Sequence, residues 1–563
     1  MVSEIVEPRQ TGSGEVLMAR TPLLGALRKL FREYRAADAA GLPLSGLREQ
    51  RTAWRATTTL GLTRRELLAG GTAGAIALTL PRHVRASGDE PTVVVVGAGI
   101  AGLTCALELA DRGIASTVYE ASGRIGGRMF TNTSYFAAGQ VAEWGGELID
   151  TGHRTIRKLA RRFDLALDDL LEAQPPGSED TYHFFGGYYP KAQADVDFEP
   201  VFDAVVADEA SAPFPTTFDD FTAAGAALDV MSVYDWIESR VPGGHRSPLG
   251  MLLDTAYAIE YGADTTDQSS LNLIYLLAFQ PRPSGLSIFG ESDERFHIRG
   301  GNQQLPEAIA DHLGLGDAVV TGRTLVGIKK TSSGRYRLTF EHGSSSTDVT
   351  ADYVVLAIPF AVLRHLDLSE AGFDPLKLRA IEEQGRANNG KIQLQFTRRP
   401  WAKTGPWPGV SNGSSYADTG YQASWEATRA QSGARGILVG YSAGSVTDSL
   451  TSDKAFATAS NAAVQADAVT TLAQVETVFP GLAREWNGKA ILSLPKKSPL
   501  FRASYSFYRV GQYTTFAGYE AVRQGGVLFC GEHTSIDFQG FMEGGAAEGM
   551  RAAKELTRLI RGR

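Results

Sequence analysis

Pro91-Thr92-Val93-Val94-Val95-Val96-Gly97-Ala98-Gly99-Ile100-Ala101-Gly102 is the stretch that decides the fold. Thr92 to Val96 is a β-branched run, read as a strand buried on both faces in a parallel sheet. The glycines follow at once. Leu103 to Arg112 reads as a helix, closed by Gly113 as its C-cap. Ser116 to Tyr119 is a second β-rich run that ends at Glu120. Strand, Gly-rich turn, helix and a strand carrying an acid about 20 residues on make the dinucleotide-binding pattern of a Rossmann-type domain. Gly97 permits the tight turn. Gly99 lets the backbone approach a pyrophosphate, and Gly102 lets helix and strand pack closely. Ala101 lies in the first helical turn, whose amides favour phosphate charge. Glu120 can accept hydrogen bonds from both ribose hydroxyls, which points to FAD or NAD rather than NADP.

Working outward, Glu120 is followed by Ala121-Ser122-Gly123-Arg124-Ile125-Gly126-Gly127-Arg128. A Gly-Gly pair flanked by arginines suggests a second phosphate-facing loop. NAD has no need of it, whereas FAD, with its longer ribityl-flavin arm, does. Glu143-Trp144-Gly145-Gly146-Glu147 gives a further point of close backbone approach.

Composition sets the limits. At 563 residues the chain is too long for one compact core, so two or three domains are expected. Hydrophobic residues at 43% and charged residues at 21% are ordinary for globular proteins and exclude bulk disorder and coiled coil. No apolar stretch reaches the length of a membrane span. A net charge of −8 argues against a general nucleic-acid binder. Two cysteines exclude a disulfide scaffold, and the scattered histidines lack ligand spacing, so no metal is expected.

The chain resembles the flavin-containing amine oxidase family over nearly all of residues 91–563, most closely bacterial-type L-amino-acid oxidases with a twin-arginine-like leader. The matching pieces begin with the Gly97 loop, the Glu120 to Arg128 run and Trp144-Gly145-Gly146. Arg299-Gly300-Gly301, Leu325-Val326-Gly327-Ile328, Val354 to Pro359 and Lys391 follow. Last come Phe529-Cys530-Gly531-Glu532-His533 and Gly540-Phe541-Met542-Glu543-Gly544-Gly545. The resemblance implies bound FAD. Val326 would hold the adenine through its backbone. Gly531, Glu532 and Gly540 would approach the ribityl-phosphate region, and Met542 would lie under the ring edge. A helix from about Gly544 to Leu559 would aim its positive end at the flavin. Lys391 would hold a water near flavin N5. Phe541 and Tyr505 would be two aromatic walls, with Trp425 a further lining residue. His533, beside Glu532, could approach the flavin. The position used elsewhere in the family for covalent attachment falls near Ser504, so the FAD is expected to be non-covalent.

The resemblance also implies chemistry. An amine gives a hydride from its α-carbon to the flavin, and oxygen then yields peroxide. The reading adopted is oxidative deamination of L-amino acids to 2-oxo acids, ammonia and hydrogen peroxide. The alternatives are a monoamine, diamine or polyamine oxidase, and a flavin desaturase or dehydrogenase that uses a carrier instead of oxygen. An amino-acid oxidase needs a carboxylate anchor, best a bidentate arginine. Gly145-Gly146-Glu147-Leu148-Ile149-Asp150 has none where relatives place it. Arg509, close to Tyr505, is the candidate substitute, while Glu147 would instead suit a cationic substrate end.

The fold class is therefore α/β. A Rossmann-type FAD-binding domain would assemble from 91–150, 290–365 and 515–563. A helical subdomain would span 151–290, and a mixed-sheet substrate domain 366–514. Residues 1–90 differ. Arg64-Arg65 precedes a mild apolar run from Leu67 to Leu80, as in a twin-arginine export signal cut after Ala86. The same region carries Leu23, Leu24, Leu27, Leu30, Phe31 and Tyr34, one face of an amphipathic helix, so a folded extension is the competing reading. Cleavage would make the protein periplasmic or extracellular; retention would leave it soluble and cytoplasmic. A homo-oligomer is expected.

Overall fold

The structure, a computed structural model, describes residues 90–278 and 293–562. The twin-arginine and amphipathic-helix readings of the N-terminal region lie outside the described residues. Among those residues, no helix is long and apolar enough to cross a membrane.

Val93–Val96 is the middle strand of a five-stranded parallel sheet, and all four of its side chains are buried. It pairs with Tyr353–Leu356 on one side and Thr117–Tyr119 on the other. Val527–Phe529 and Val319–Val320 complete the two edges. Segments more than 400 residues apart thus meet in one sheet, because each is a short apolar run that must be covered on both faces. The Ile100–Ala110 helix covers one face, and Met542–Ile560 packs across that helix. Their approach is very close: a Cβ on Gly549 would sit 2.2 Å from the Ala101 carbonyl oxygen. The last helix starts two residues earlier than the sequence suggests, at Met542, because Phe541 is still extended and serves as its N-cap.

A second body is an eight-stranded sheet, ordered Phe456–Thr458, Trp486–Ser493, Asn389–Phe396, Gly436–Ala443, Ala423–Glu426, Ser411–Ala417, Glu179–Phe184 and Gly187–Tyr189. Asn389–Phe396 is buried at every position. The 151–290 segment is not purely helical, since it supplies the last two of these strands. Glu179–Phe184 runs parallel to Ser411–Ala417 and gives that strand's backbone a partner it would otherwise lack. The rest of the segment is largely helical, including Arg154–Arg162, Glu199–Ser211, Pro248–Tyr261 and Ser270–Ala278. Pro248–Tyr261 has standard punctuation: the Ser247 hydroxyl accepts from the Gly250 amide, Pro248 opens the helix, and Gly262 closes it at φ 67°. This helix packs against the second sheet and presents the Ile259 carbonyl to Tyr505, which lines the site described next.

Candidate active site

A cavity of about 560 Å³ runs between the two bodies, from Glu120 and Val326 at one end to Lys391, Trp425 and Phe541 at the other. At the first end, the tight turn needs glycine. Gly97 has φ 104°, and a Cβ there would meet the Ala357 carbonyl oxygen at 2.8 Å. A Cβ on Gly102 would be 2.0 Å from the Gly97 carbonyl oxygen. Gly99 differs, with nothing within 4 Å of its Cβ position. It opens onto the cavity as the N-cap of the helix and offers no side chain to the first-turn amides. That is the arrangement a pyrophosphate requires. Glu120 is fixed at the strand end by the Ala98 amide (2.8 Å) and by the Ser122 amide and hydroxyl (2.9 and 2.8 Å). Val326 falls at a register shift between Leu325 and Gly327, which takes it out of the antiparallel ladder beside the cavity.

In the middle of the cavity, Arg124 donates to the Ile125 and Gly127 carbonyls and lies 3.9 Å over the Phe130 ring, holding the Gly126-Gly127 turn. Arg128 donates to Glu532 Oε1 (2.8 Å) and to the Ser504 carbonyl (3.0 Å). Glu532 Oε2 accepts from the Ser506 hydroxyl and the Gly540 amide. Burial alone would raise the Glu532 carboxyl, but Arg128 and these hydrogen bonds hold it below the ordinary range. His533 is buried on the cavity wall, and neither ring nitrogen has a hydrogen-bond partner among the described residues. An orphaned imidazole, an uncapped helix and open glycines together fit a bound dinucleotide.

At the far end, Lys391 projects from the Asn389–Phe396 strand. Its Nζ donates to Glu147 Oε2 (2.7 Å) and to the Gly145 carbonyl (3.1 Å). Trp425 Nε1 donates to Glu147 Oε1 at 2.9 Å. Burial favours a protonated Glu147, yet Lys391 and Trp425 overcome it and lower its pKa. The Gly145-Gly146 backbone is pressed between two neighbours: a Cβ on Gly145 would strike the Arg128 carbonyl, and one on Gly146 would meet Met542 Sδ at 2.9 Å. Asn302 clamps this loop by donating to the Gly146 and Glu147 carbonyls. The aromatic walls follow. Trp425 and Tyr441 pack edge to face at 5.1 Å, and the Tyr505 hydroxyl donates to the Ile259 carbonyl at 2.9 Å. Phe541 sits opposite, with His153 edge-on at 5.2 Å.

A family model for flavin-containing amine oxidoreductases matches residues 100–557. The chain belongs to the flavin-containing amine oxidoreductase family. The L-amino-acid oxidase of Crotalus adamanteus is 24% identical over 493 residues, covering 84% of this chain and 88% of the snake protein. Nicotine dehydrogenase of Pseudomonas putida is also 24% identical, over 494 residues, 84% of this chain and 89% of that one. Among solved structures, cyclohexylamine oxidase from Brevibacterium oxydans superposes with a TM-score of 0.69 at 21% identity, covering 84% of this chain and all of that one. Putrescine oxidase bound to putrescine gives 0.67 at 18% identity, covering 83% and 99%. The cofactor of this family member is FAD, and the residues of the cradle described above fit it.

Gly97, Gly99, Ala101, Glu120, Ala121, Arg124, Gly127, Arg128, Gly145, Gly146, Glu147, Val326, Gly531, Glu532, Gly540 and Met542 line the one cavity together with Lys391, Trp425, Tyr505 and Phe541. Gly102 stands behind it as a packing glycine. Two readings change. Arg509 does not reach the cavity: its side chain is about half exposed and pairs with Asp267 at 2.6 Å. Its position near Tyr505 in sequence does not carry over, because the chain turns away after Ser506–Phe507. Glu147 is not offered to a cationic substrate, since Lys391 and Trp425 occupy both of its oxygens. Both cysteines lie outside the cavity and are fully buried, with Cys105 pushed up to about 12 by burial. Ser504 lines the cavity and its hydroxyl donates to Asn389 Oδ1 at 2.6 Å.

Sequence reasoning missed Tyr441, Asp150, His153 and Glu294. Tyr441 had a signal available, because it stands directly across from Lys391 in the sheet, but that needs the strand register. The others come from loops that carry no motif.

Proposed function

We propose that this chain is an oxidase of primary amines that lack an α-carboxylate, passing the electrons to oxygen with release of hydrogen peroxide. The observation that carries the reading is the charge at the reaction end of the cavity. Besides the Lys391–Glu147 pair and the cofactor-cradle carboxylates Glu120 and Glu532, the acidic residues that line the cavity are Asp150 and Glu294. The arginines that line the cavity stand elsewhere: Arg124 and Arg128 hold the central loop, the Arg323 amide donates to the Glu120 carbonyl at the adenosine end, and Arg502 lies near His365. A bidentate clamp for an amino-acid carboxylate is absent among the described lining residues. The FAD is non-covalent in this reading, since neither thiol reaches the cavity. The twin-arginine region fits export.

FAD, when bound, would supply a two-electron acceptor for the carbon that bears the amine. The protein's part is placement. Phe541, Tyr505 and Tyr441 confine the amine in an apolar slot and keep water out. Lys391, fixed by Glu147, sets a positive charge beside the Gly145 carbonyl. The N-terminus of Met542–Ile560 adds the positive end of a helix dipole at the same place, favouring negative charge there.

A second reading, L-amino-acid oxidation, draws on the relatives of that name. Peroxide release on L-phenylalanine and phenethylamine, which differ only by the carboxylate, separates the two. Activity on the amine alone supports the proposal; activity on the acid alone overturns it. Anaerobic bleaching of the flavin without peroxide in air would instead indicate an electron carrier.

A further inference from the structure

Lys391 Nζ finds its acceptors along one short segment: the Glu143 carbonyl (3.4 Å), the Gly145 carbonyl (3.1 Å) and Glu147 Oε2 (2.7 Å). What fixes that segment is the Glu143 side chain, which is fully buried. Its Oε1 accepts from the Asn302 amide at 2.8 Å and lies 2.8 Å from His297 Nε2. Its Oε2 accepts from the Thr131 hydroxyl at 2.8 Å. The Glu143 carbonyl also accepts from Gln393 Nε2 at 2.7 Å, on the strand that carries Lys391. Asn302 passes the restraint along the segment. Its Oδ1 accepts from the Ile298 amide, and its Nδ2 holds the Gly146 and Glu147 carbonyls. His297 itself does not line the cavity and reaches the reaction end only through these contacts.

The surrounding charges decide the state of the His297 ring. Among the described residues, it is the basic side chain that pairs with the Glu143 carboxylate. Glu147 also faces it, as does Asp168, which stands directly across on the paired strand. The arginines that flank its strand are engaged elsewhere, Arg295 with Asp169 and Arg299 with Asp168. Burial disfavours the imidazolium, yet Glu143 first, then Glu147 and Asp168, overcome it and raise the His297 pKa. The opposite holds for His153 and His533, where burial prevails. Two buried carboxylates, Glu143 and Glu147, are thereby matched by two cations, His297 and Lys391. A neutral His297 would leave Glu143 a buried charge without a counter-ion, which is costly.

We propose that His297 is a positioning residue for Lys391: its ion pair with Glu143 locks the Glu143–Glu147 segment where it presents its acceptors to the Lys391 ammonium. The inference rests on the flavin chemistry of the family and goes beyond the choice between amines and amino acids, since Lys391 serves either. When the ring loses its proton, the lock weakens and Lys391 shifts in the cavity. The linkage has one sign. The contribution is complete below pH 6.5 and is lost as pH rises through the raised pKa of His297.

The test follows the holoenzyme across about pH 6 to 10 by two readouts. One is the absorbance spectrum of the oxidised, substrate-free flavin. The other is the anaerobic rate of flavin reduction at saturating phenethylamine or L-phenylalanine, whichever is turned over. In the wild type both should change together through one ionisation above the ordinary histidine range. Reduction should be about 10-fold slower on the alkaline side, the scale on which a small displacement at the reacting centre acts. His297→Gln keeps a donor for Glu143 without the charge. It should abolish the step and hold both readouts near the wild-type alkaline values throughout. Glu143→Gln removes the facing carboxylate and should move the step to lower pH. Where a variant does not retain flavin, thermal unfolding decides: the stability of the wild type relative to His297→Gln should shrink as pH rises. No step in the wild type, a step unchanged in His297→Gln, or a stability difference that does not vary with pH overturns the proposal. The expected spectral step in a protein that oxidises neither substrate overturns the oxidase reading and leaves the lock standing.

Discussion

Lys391 and Trp425 share one carboxylate: Lys391 Nζ is 2.7 Å from Glu147 Oε2, and Trp425 Nε1 is 2.9 Å from Glu147 Oε1. The three residues come from three separate segments, and all three are largely buried. The carboxylate thus joins the strand that carries Lys391 to the Gly145-Gly146 loop. Removing one partner of such a pair costs more than the pair itself contributes, because the other charge is left stranded.

Lys391→Met should therefore destabilise the holoenzyme by about 3 kcal/mol, and should slow anaerobic flavin reduction by amine. Lys391→Met/Glu147→Gln should recover much of the stability and none of the reduction rate. Thermal unfolding and stopped-flow absorbance read the two separately. Recovery of both would mean that Lys391 serves only to neutralise Glu147.

Glycines 99 and 102 should part company. Gly102→Ala places a Cβ against the Gly97 carbonyl and should prevent a folded, flavin-loaded protein. Gly99→Ala meets nothing in the protein itself, so the apoprotein should fold with near-normal thermal stability. The added methyl would then stand in the cofactor's approach and weaken FAD binding about 10-fold or more, as a loss of close backbone contact predicts. Flavin-to-protein ratio and FAD titration of the apoprotein check both.

Two buried histidines should make a contribution to stability that acid removes. Burial holds the His533 pKa down at about 4 and that of His153 at about 3, against an ordinary value of 6.5. Below pH 6.5 the unfolded chain takes up these protons and the folded one does not. The stabilising contribution is therefore complete above pH 6.5 and is lost as pH falls toward 4. Each histidine contributes a slope of about 1.4 kcal/mol per pH unit in that window. Between pH 6.5 and 4.5, thermal unfolding of His533→Leu apoprotein should be visibly less pH-sensitive than that of the wild type. Equal slopes would mean that His533 is protonated in the folded state.

Arg509→Ala should leave kcat/KM for phenethylamine and L-phenylalanine within about twofold of wild type. The Arg509–Asp267 pair is solvent-exposed, and such pairs contribute about 1 kcal/mol or less. A large rise in KM confined to L-phenylalanine would restore Arg509 as a carboxylate anchor.

The legibility of the site divides along the same lines as these tests. Gly97, Gly99, Gly102 and Glu120 were readable because a phosphate-binding turn is local: three glycines and one acid recur at fixed spacing within a single strand-turn-helix-strand unit. Lys391, Phe541 and Met542 were singled out only through resemblance. The contacts of Lys391 and Met542 with the Gly145-Gly146 loop are long-range, and no local pattern links them to it. Arg509 shows the limit of proximity in sequence. It lies four residues from Tyr505, yet Tyr505 lines the cavity and Arg509 pairs with Asp267 outside it.

The sequence by itself determined the parallel sheet around Val93–Val96, the dinucleotide turn, the family and hence the flavin, because each is written in short-range periodicity or in motifs of fixed spacing. Tertiary structure alone decided the character of the substrate end. It spent Glu147 on Lys391 and Trp425, removed Arg509 to the surface, set Tyr441 across from Lys391, and left the Glu294 carboxyl buried beside Asp150. These are long-range encounters between charges and rings, and what a buried charge can do depends on which other charges the fold brings within reach of it.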